Sequence, residues 1–171
     1  MGAPSQFQIP QVEGALIALL NATMPAAYGT VEAPVLIDID AIGDKDFNEN
    51  GQLVLKSPAI RVRFNGEDFN ALRDNQRLTY ESGQLFEVMC FVSSVKSKAS
   101  ERIRTLGLVG VAKNQLAGAR LALADGTFSM PITLKSVGPV ITEDGPVDQL
   151  FSITVLINGI SQFNGPNGGA L

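Results

Sequence analysis

Histidine and tryptophan are absent from this chain of 171 residues, and cysteine occurs once. Without histidine, the Ser–His–Asp and Cys–His arrangements of nucleophilic catalysis are impossible. A single cysteine excludes an intramolecular disulfide, and it leaves zinc only one thiolate beside carboxylates, which is a poor set of ligands. No G-x-S-x-G motif occurs, and "GLVGVAKN" lacks the spacing of a phosphate-binding loop. The sequence therefore predicts no catalytic residues, no metal and no cofactor, and so a protein that is not an enzyme.

Long apolar runs are also absent. The longest, near "ALIALL", is far shorter than the roughly 18 residues of a membrane span, so we expect no membrane partner. The first residues, "MGAPSQ", lack the basic region of a secretory signal, which favours a cytoplasmic location. A net charge of −4 and few aromatic residues argue against specific binding of nucleic acid.

The stretch "DKDFNENGQL", residues 44–53, matches the first half of a calcium-binding loop. Asp46, Asn48, Asn50 and Gly51 occupy the positions of the pattern D-x-[DN]-x-[DN]-G. Such a loop needs a bidentate carboxylate at its twelfth position, and that position is Ser57. Since Asn-Gly is a strong signal for a tight turn, we interpret the stretch as a turn and not as a metal site.

Charge is distributed unevenly along the chain. Residues 1–50 carry seven acidic residues and one basic residue, whereas residues 93–120 carry six basic residues and one acidic residue. The two segments could pair within a subunit or between subunits, or they could be two solvated faces. For the pairing alternative, the candidate subunit-interface residues are Asp38, Asp40, Arg102 and Arg104. Asp38 and Asp40 could also act as paired carboxylates in acid–base chemistry, but a solvated strand face is the simpler interpretation.

Periodicity predicts a single domain over residues 10–162, after a flexible N-terminal lead over residues 1–9 and before a flexible Gly-rich tail over 163–171. A helix begins at Pro10 and ends near Pro25, and period-two alternation predicts strands in "APVLIDIDAI" and "QLVLKSPAIRVRF". The near-continuous apolarity of "GQLFEVMCFVSS" predicts a strand that is covered on both faces. Residues 65–82 are polar and predict a loop or an extended arm, in which Arg73 and Arg77 could make contacts. Two further strands follow a second helix. The irregular order predicts an α+β fold with an antiparallel or mixed sheet and two helices on one face.

The second helix is predicted over residues 99–118, with Ser100 as its N-cap. Apolar residues occupy more of its circumference than one sheet would cover, which is typical of a helix covered on two sides. Gly107 and Gly110 each cost roughly 1 kcal/mol relative to alanine inside a helix. We therefore expect another element, such as a neighbouring subunit, to approach the helix at these two glycines.

The segment "RLTYESGQLFEVMCFVSSVKSKASERIRTLGLVGVAKNQLAGARL" resembles the small tail-completion and tail-terminator proteins of Mu-like contractile-tailed bacteriophages. A strand of the form F-x-V-x-C-x-V leads through a short Ser/Lys linker into a helix that begins with Glu-Arg. The likeness covers roughly residues 10–160, and it is a pattern of elements with a few matching letters. It carries no individual site residue.

The resemblance implies a virion structural protein that caps or completes the tail tube at its head-proximal end. Such proteins form a hexameric ring, so the implied partners are other copies of the chain, the tail tube, the sheath and the neck or connector proteins. The implied location is the tail or neck of the virion, and the host cytoplasm during assembly. Three alternatives stay open: another neck, connector or baseplate component, an assembly factor that is not incorporated, and a calcium-binding or carboxylate-dependent protein.

Overall fold

Five strands and two helices account for most of the residues that the computed structural model describes, which are 7–71, 79–93, 97–142 and 145–162. In chain order the elements are α1 (Ile9–Tyr28), β1 (Asp38–Ala41), β2 (Ala59–Ala71), β3 (Thr79–Phe91), α2 (Lys98–Leu116), β4 (Thr133–Thr142) and β5 (Gly145–Gln162). The strands form one sheet in the order β1-β2-β3-β5-β4, and only the β1–β2 pair is parallel. The predicted α+β class, with a mixed sheet and two helices packed on it, is confirmed.

The main core lies between the helices and one face of the sheet. Alternate residues of β3 and β5 point to the same face because successive side chains of a strand point to opposite sides. Helix α1 buries one stripe of its surface here, and α2 buries another. The principal contributors are Leu16 and Leu20 of α1, Leu108, Ala112 and Leu116 of α2, Phe86, Val88 and Cys90 of β3, and Ile153, Val155 and Ile157 of β5.

A smaller apolar cluster lies on the opposite face of the sheet. Met89, which alternates with Val88 and Cys90, packs there with Val140 and Leu150. The segment between β1 and β2 covers this cluster with Ile42, Leu53 and Leu55. Part of the second sheet face is therefore covered by residues 42–55, which we call the covering loop.

The N-terminal end of the described chain packs against the end of β5. Phe7 is buried, and its ring lies so close to Gly159 that an added Cβ would come within 2.2 Å of the ring. The Phe7 carbonyl accepts a hydrogen bond from Ser161 Oγ at 3.4 Å. Phe7 belongs to the segment predicted as a flexible lead, and α1 begins two residues later at Ile9.

Residues 65–71 and 79–82 continue β2 and β3, so in the segment predicted as a loop or an extended arm these positions are strand and not loop. The two strands stay paired as far as Ala71 and Tyr80, with a register shift between Phe64 and Gly66. Their polarity has a local cause, because Glu67 Oε1 accepts hydrogen bonds from the hydroxyl of Ser82 and from Gln84 Nε2. A polar cluster thus lies on this part of the sheet, which also carries an edge-to-face contact between the rings of Phe69 and Tyr80. Arg73 and Arg77, residues 1–6 and the predicted tail 163–171 lie outside the described residues.

Two helix ends also differ from the predictions. Helix α1 continues through Pro25 to Tyr28, and the Pro25 carbonyl accepts hydrogen bonds from the backbone N–H groups of Gly29 and Val35. Helix α2 is capped by Ser97 and not by Ser100, because the Ser97 hydroxyl accepts from the Ser100 N–H at 3.1 Å.

Candidate functional site

A buried arginine anchors the covering loop to the sheet. Arg61 of β2 is only 3% exposed, and its Nε donates to Asp46 Oδ1 at 2.8 Å. Its two terminal nitrogens donate to the Asp38 carboxylate at 2.6 Å and to the Asp38 carbonyl at 2.8 Å. A buried charge of this kind is tolerated only when it is paired and hydrogen-bonded. Arg61 therefore ties β1, β2 and the covering loop together.

The two aspartates predicted at a subunit interface have partners within the chain. Asp38 pairs with Arg61, and Asp40 pairs with Lys45. The hydrogen bond from Lys45 is the main cause that lowers the pKa of Asp40, and the backbone N–H of Ala41 adds to it. Both carboxylates thus hold the segment around β1. Together with Asp46, three of the seven acidic residues in residues 1–50 have an ion-pair partner among the described residues.

The residues of the calcium-like pattern build a turn, as predicted. The Gly51 N–H donates to the Asn48 carbonyl, and Gly51 has φ 73°, a conformation that favours glycine. Asp46, the first residue of the pattern, is 1% exposed, and its second oxygen accepts from the Gly43 N–H at 3.0 Å. Its carboxylate is thus occupied by Arg61 and Gly43. Among the described residues, no cluster of three or more His, Cys, Asp or Glu side chains could hold a metal ion.

The outward side of α2 carries exposed apolar residues between two arginines. Ile103 is 71% exposed and Leu106 is 41% exposed. Helical spacing places Arg102 and Arg104 on the two flanks of this side, opposite the buried stripe of Leu108, Val109, Ala112 and Leu116. Arg102 also lies over the ring of Phe151, with 5.7 Å between its guanidinium carbon and the ring centroid. We call Arg102, Ile103, Arg104 and Leu106 the α2 patch.

Gly107 and Gly110 lie on the same outward side of α2. Apart from the adjacent backbone of α2 itself, a Cβ atom added at either position would meet no heavy atom of the described chain within 4 Å. The close approach predicted at these glycines is therefore not made by the described residues of the subunit itself. Leu106 is exposed and Leu108 is buried, so the core side of α2 is the one that carries Leu108, Val109 and Ala112.

The sequence reasoning missed Arg61 and the exposed part of the covering loop. Arg61 alternates with Ile60 and Val62, so it looked like a solvated strand residue. The apolar residues Leu53 and Leu55, six and four positions before the strand begins at Ala59, were the one sign that a loop covers that face. Phe47 and Val54 of the loop are 44% and 57% exposed.

An open groove of about 470 Å³ lies beside β1. It is lined by Asn21, Leu36, Ile37, Asp38, Ile39, Lys56, Ser57 and Pro58. The one carboxylate in this lining, that of Asp38, already binds Arg61. The groove therefore offers no set of convergent, uncommitted polar groups of the kind that orients a small-molecule ligand.

The lone thiol has no features of a reactive group. Cys90 is fully buried in the main core, and burial raises its pKa to about 12. Since the thiolate is the nucleophile, Cys90 acts as a small apolar residue.

No helix in the described part of the chain is long and apolar enough to cross a membrane.

Comparisons with known proteins find a likeness in fold. No family model matches the sequence, and no curated protein matches it. Among solved structures, the fold is similar to that of a chain in the virion of a native gene transfer agent particle, with a TM-score of 0.52 and 12% sequence identity. The match covers 93% of this chain and 100% of that chain. The fold therefore has a counterpart, over most of the chain, in a chain of that virion.

Proposed function

We propose that this protein is a structural component of a phage-like virion, which caps or completes the tail tube at its head-proximal end and joins it to the neck. The observation that carries the proposal is the match in fold to a gene transfer agent virion component over 93% of the chain. The position at the head-proximal end of the tail is supported by the motif likeness to tail-completion and tail-terminator proteins alone. The protein works as a ring of six copies, with the tail tube, sheath and connector proteins as its other partners.

The surface of α2 supports assembly as the mode of action. Ile103 and Leu106 are exposed on a helix whose opposite side is fully used by the core. Exposed apolar residues grouped on one element are typical of interaction surfaces. Arg61 and Asp46, the two buried charged residues of the described chain, are committed to holding the covering loop and not to chemistry. The protein thus acts by presenting surfaces to other proteins and not by catalysis.

A ring places a geometric demand on each subunit. A head-to-tail contact joins two different surfaces, and it generates a closed ring when the rotation between copies closes. The subunit must therefore carry two complementary surfaces that cannot satisfy each other within one chain.

Mass spectrometry and cryo-electron microscopy of purified particles test the proposal. We expect the chain in the particles, and we expect its density at the head-proximal end of the tail. Absence from particles would instead indicate an assembly factor that is not incorporated. Density at the baseplate or elsewhere in the neck would reject the tail-tube position and keep the structural role.

A further inference from the structure

We propose that the α2 patch of one subunit binds the covering loop of the next subunit. This inference rests on the proposed function, because it identifies the two surfaces that join copies of the chain in the ring. The occupant of the α2 patch is thus a second copy of this protein.

The covering loop carries a surface of opposite charge to the α2 patch. Phe47 and Val54 are exposed, while Asp44 and Glu49 are exposed acids without an ion pair among the described residues. The loop is compact, because the Phe47 N–H donates to the Asp44 carbonyl at 3.2 Å and the Val54 N–H donates to the Asp46 carbonyl at 2.7 Å. We call Asp44, Phe47, Glu49 and Val54 the loop patch.

The two patches are complementary in kind. The α2 patch has two exposed apolar residues flanked by arginines, and the loop patch has two exposed apolar residues accompanied by acids. Apolar contact at the centre of an interface supplies affinity, and opposite charges around it fix register and exclude wrong partners.

The patches lie on opposite sides of one sheet. Helix α2 packs on the face that carries Val88 and Cys90, whereas the covering loop packs on the face that carries Met89. They cannot meet within one subunit. They can meet between two copies stacked head to tail, which is the contact that a ring requires.

The structure also revises which acids take part. The charge distribution of the sequence predicted Asp38 and Asp40 as the acidic partners. In the structure, Asp38 pairs with Arg61 and Asp40 pairs with Lys45. Asp44 and Glu49 lie close to them in sequence and have no such commitment among the described residues. The acidic surface is therefore the outside of the covering loop, which Arg61 and Asp46 hold in place from within.

Charge reversal in the full chain tests the pairing. One variant carries Arg102→Glu and Arg104→Glu, the second carries Asp44→Lys and Glu49→Lys, and a third carries all four changes. Assembly is measured by light scattering of the purified chain and by incorporation into particles in producing cells. We expect the first and second variants to assemble about tenfold less than wild type or worse, since like charges then face each other. We expect the variant with all four changes to recover assembly, because its two patches again carry opposite charges.

A mixing experiment adds a sharper test. An equimolar mixture of the first and second variants should assemble, because alternating subunits place opposite charges at every interface. Two control variants change net charge equally at exposed sites elsewhere: Arg120→Glu with Lys135→Glu, and Glu32→Lys with Asp68→Lys. Both controls should assemble like wild type, and urea unfolding should show every variant folded.

The outcomes separate this inference from the proposed function. If wild type assembles and the patch variants lose no more assembly than the controls, the pairing is wrong and the ring proposal stands. Loss of assembly in the first and second variants, without recovery in the variant with all four changes or in the mixture, would also overturn the pairing. If wild type neither self-associates nor enters particles, the proposed function fails and this inference fails with it.

Discussion

Removal of the Asp46 carboxylate should destabilise the protein strongly, although the residue lies in a loop. Asp46→Ala takes away the acceptor for Arg61 Nε and for the Gly43 N–H, which lie 2.8 and 3.0 Å from its two oxygens. Arg61 stays buried at 3% exposure, and it keeps only the contacts to Asp38 and to its own strand.

The expected magnitude follows from the burial of both charges. Removing one partner of a buried ion pair costs about 3–5 kcal/mol, because the other charge is left without compensation. An exposed residue away from such a network changes stability by about 0.5 kcal/mol or less. Asp44 is a matched control, since it lies in the same 3₁₀ turn as Asp46 and is exposed.

Urea unfolding followed by circular dichroism measures both variants, at a concentration where the chain is monomeric. We expect Asp46→Ala to lower the free energy of unfolding by about 3 kcal/mol or more, and Asp44→Ala to leave it nearly unchanged. Equal effects of the two substitutions would refute the reasoning, since the Arg61–Asp46 pair would then hold nothing in place.

The same assay decides the calcium interpretation. A ligand that binds only the native state stabilises it by about 4 kcal/mol at a thousandfold excess over its Kd. We expect millimolar calcium to leave the unfolding midpoint of wild type unchanged, because Arg61 and Gly43 already occupy the Asp46 oxygens. A large calcium-dependent shift that Asp46→Ala abolished would restore the metal site.

Three further predictions concern packing. Phe7→Ala should lower the free energy of unfolding by about 3–5 kcal/mol. Gly159→Ala should lower it by a similar amount, because the added Cβ would displace the Phe7 ring, and the double variant should lose little more than either single variant. Additive losses in this double-mutant cycle would contradict the contact. Gly107→Leu should reduce assembly in light scattering without lowering the unfolding midpoint, because leucine favours a helix more than glycine does and the site is open. Gly14→Leu, at an equally open helix position on α1, should lower neither assembly nor the unfolding midpoint. Loss of folding with Gly107→Leu would show that the site faces its own subunit. Cys90 should resist a thiol reagent at pH 8 until the protein unfolds, because a pKa of about 12 leaves almost no thiolate. Labelling of the folded protein at the rate of a free thiol would disprove the burial of Cys90.

Sequence reasoning succeeded where burial is strong and periodic. Strand β3 was predicted from a short, nearly continuous apolar run, and helix α2 was predicted from apolar positions at helical spacing. The α+β class followed from the irregular order of such elements. These features depend on a face that must be covered, and a covered face is visible in the alternation of residues.

The features that were not predicted share a physical cause, because each forms through contacts with residues that are distant in the sequence. Arg61 is buried only because the covering loop returns across the sheet to bring Asp46 to it. Residues 65–71 form a strand because β3 offers paired backbone groups and because Glu67 finds Ser82 and Gln84. The sequence located the basic side of the α2 patch, but it could not show which acids are already paired within the chain.

Cryo-electron microscopy of intact particles is the most direct test of the central claim that this protein works by joining copies of itself. We predict a closed ring of this chain at the head-proximal end of the tail, with α2 of each subunit against residues 44–54 of its neighbour. Particles whose density holds the chain as isolated copies, with α2 facing solvent, would contradict it.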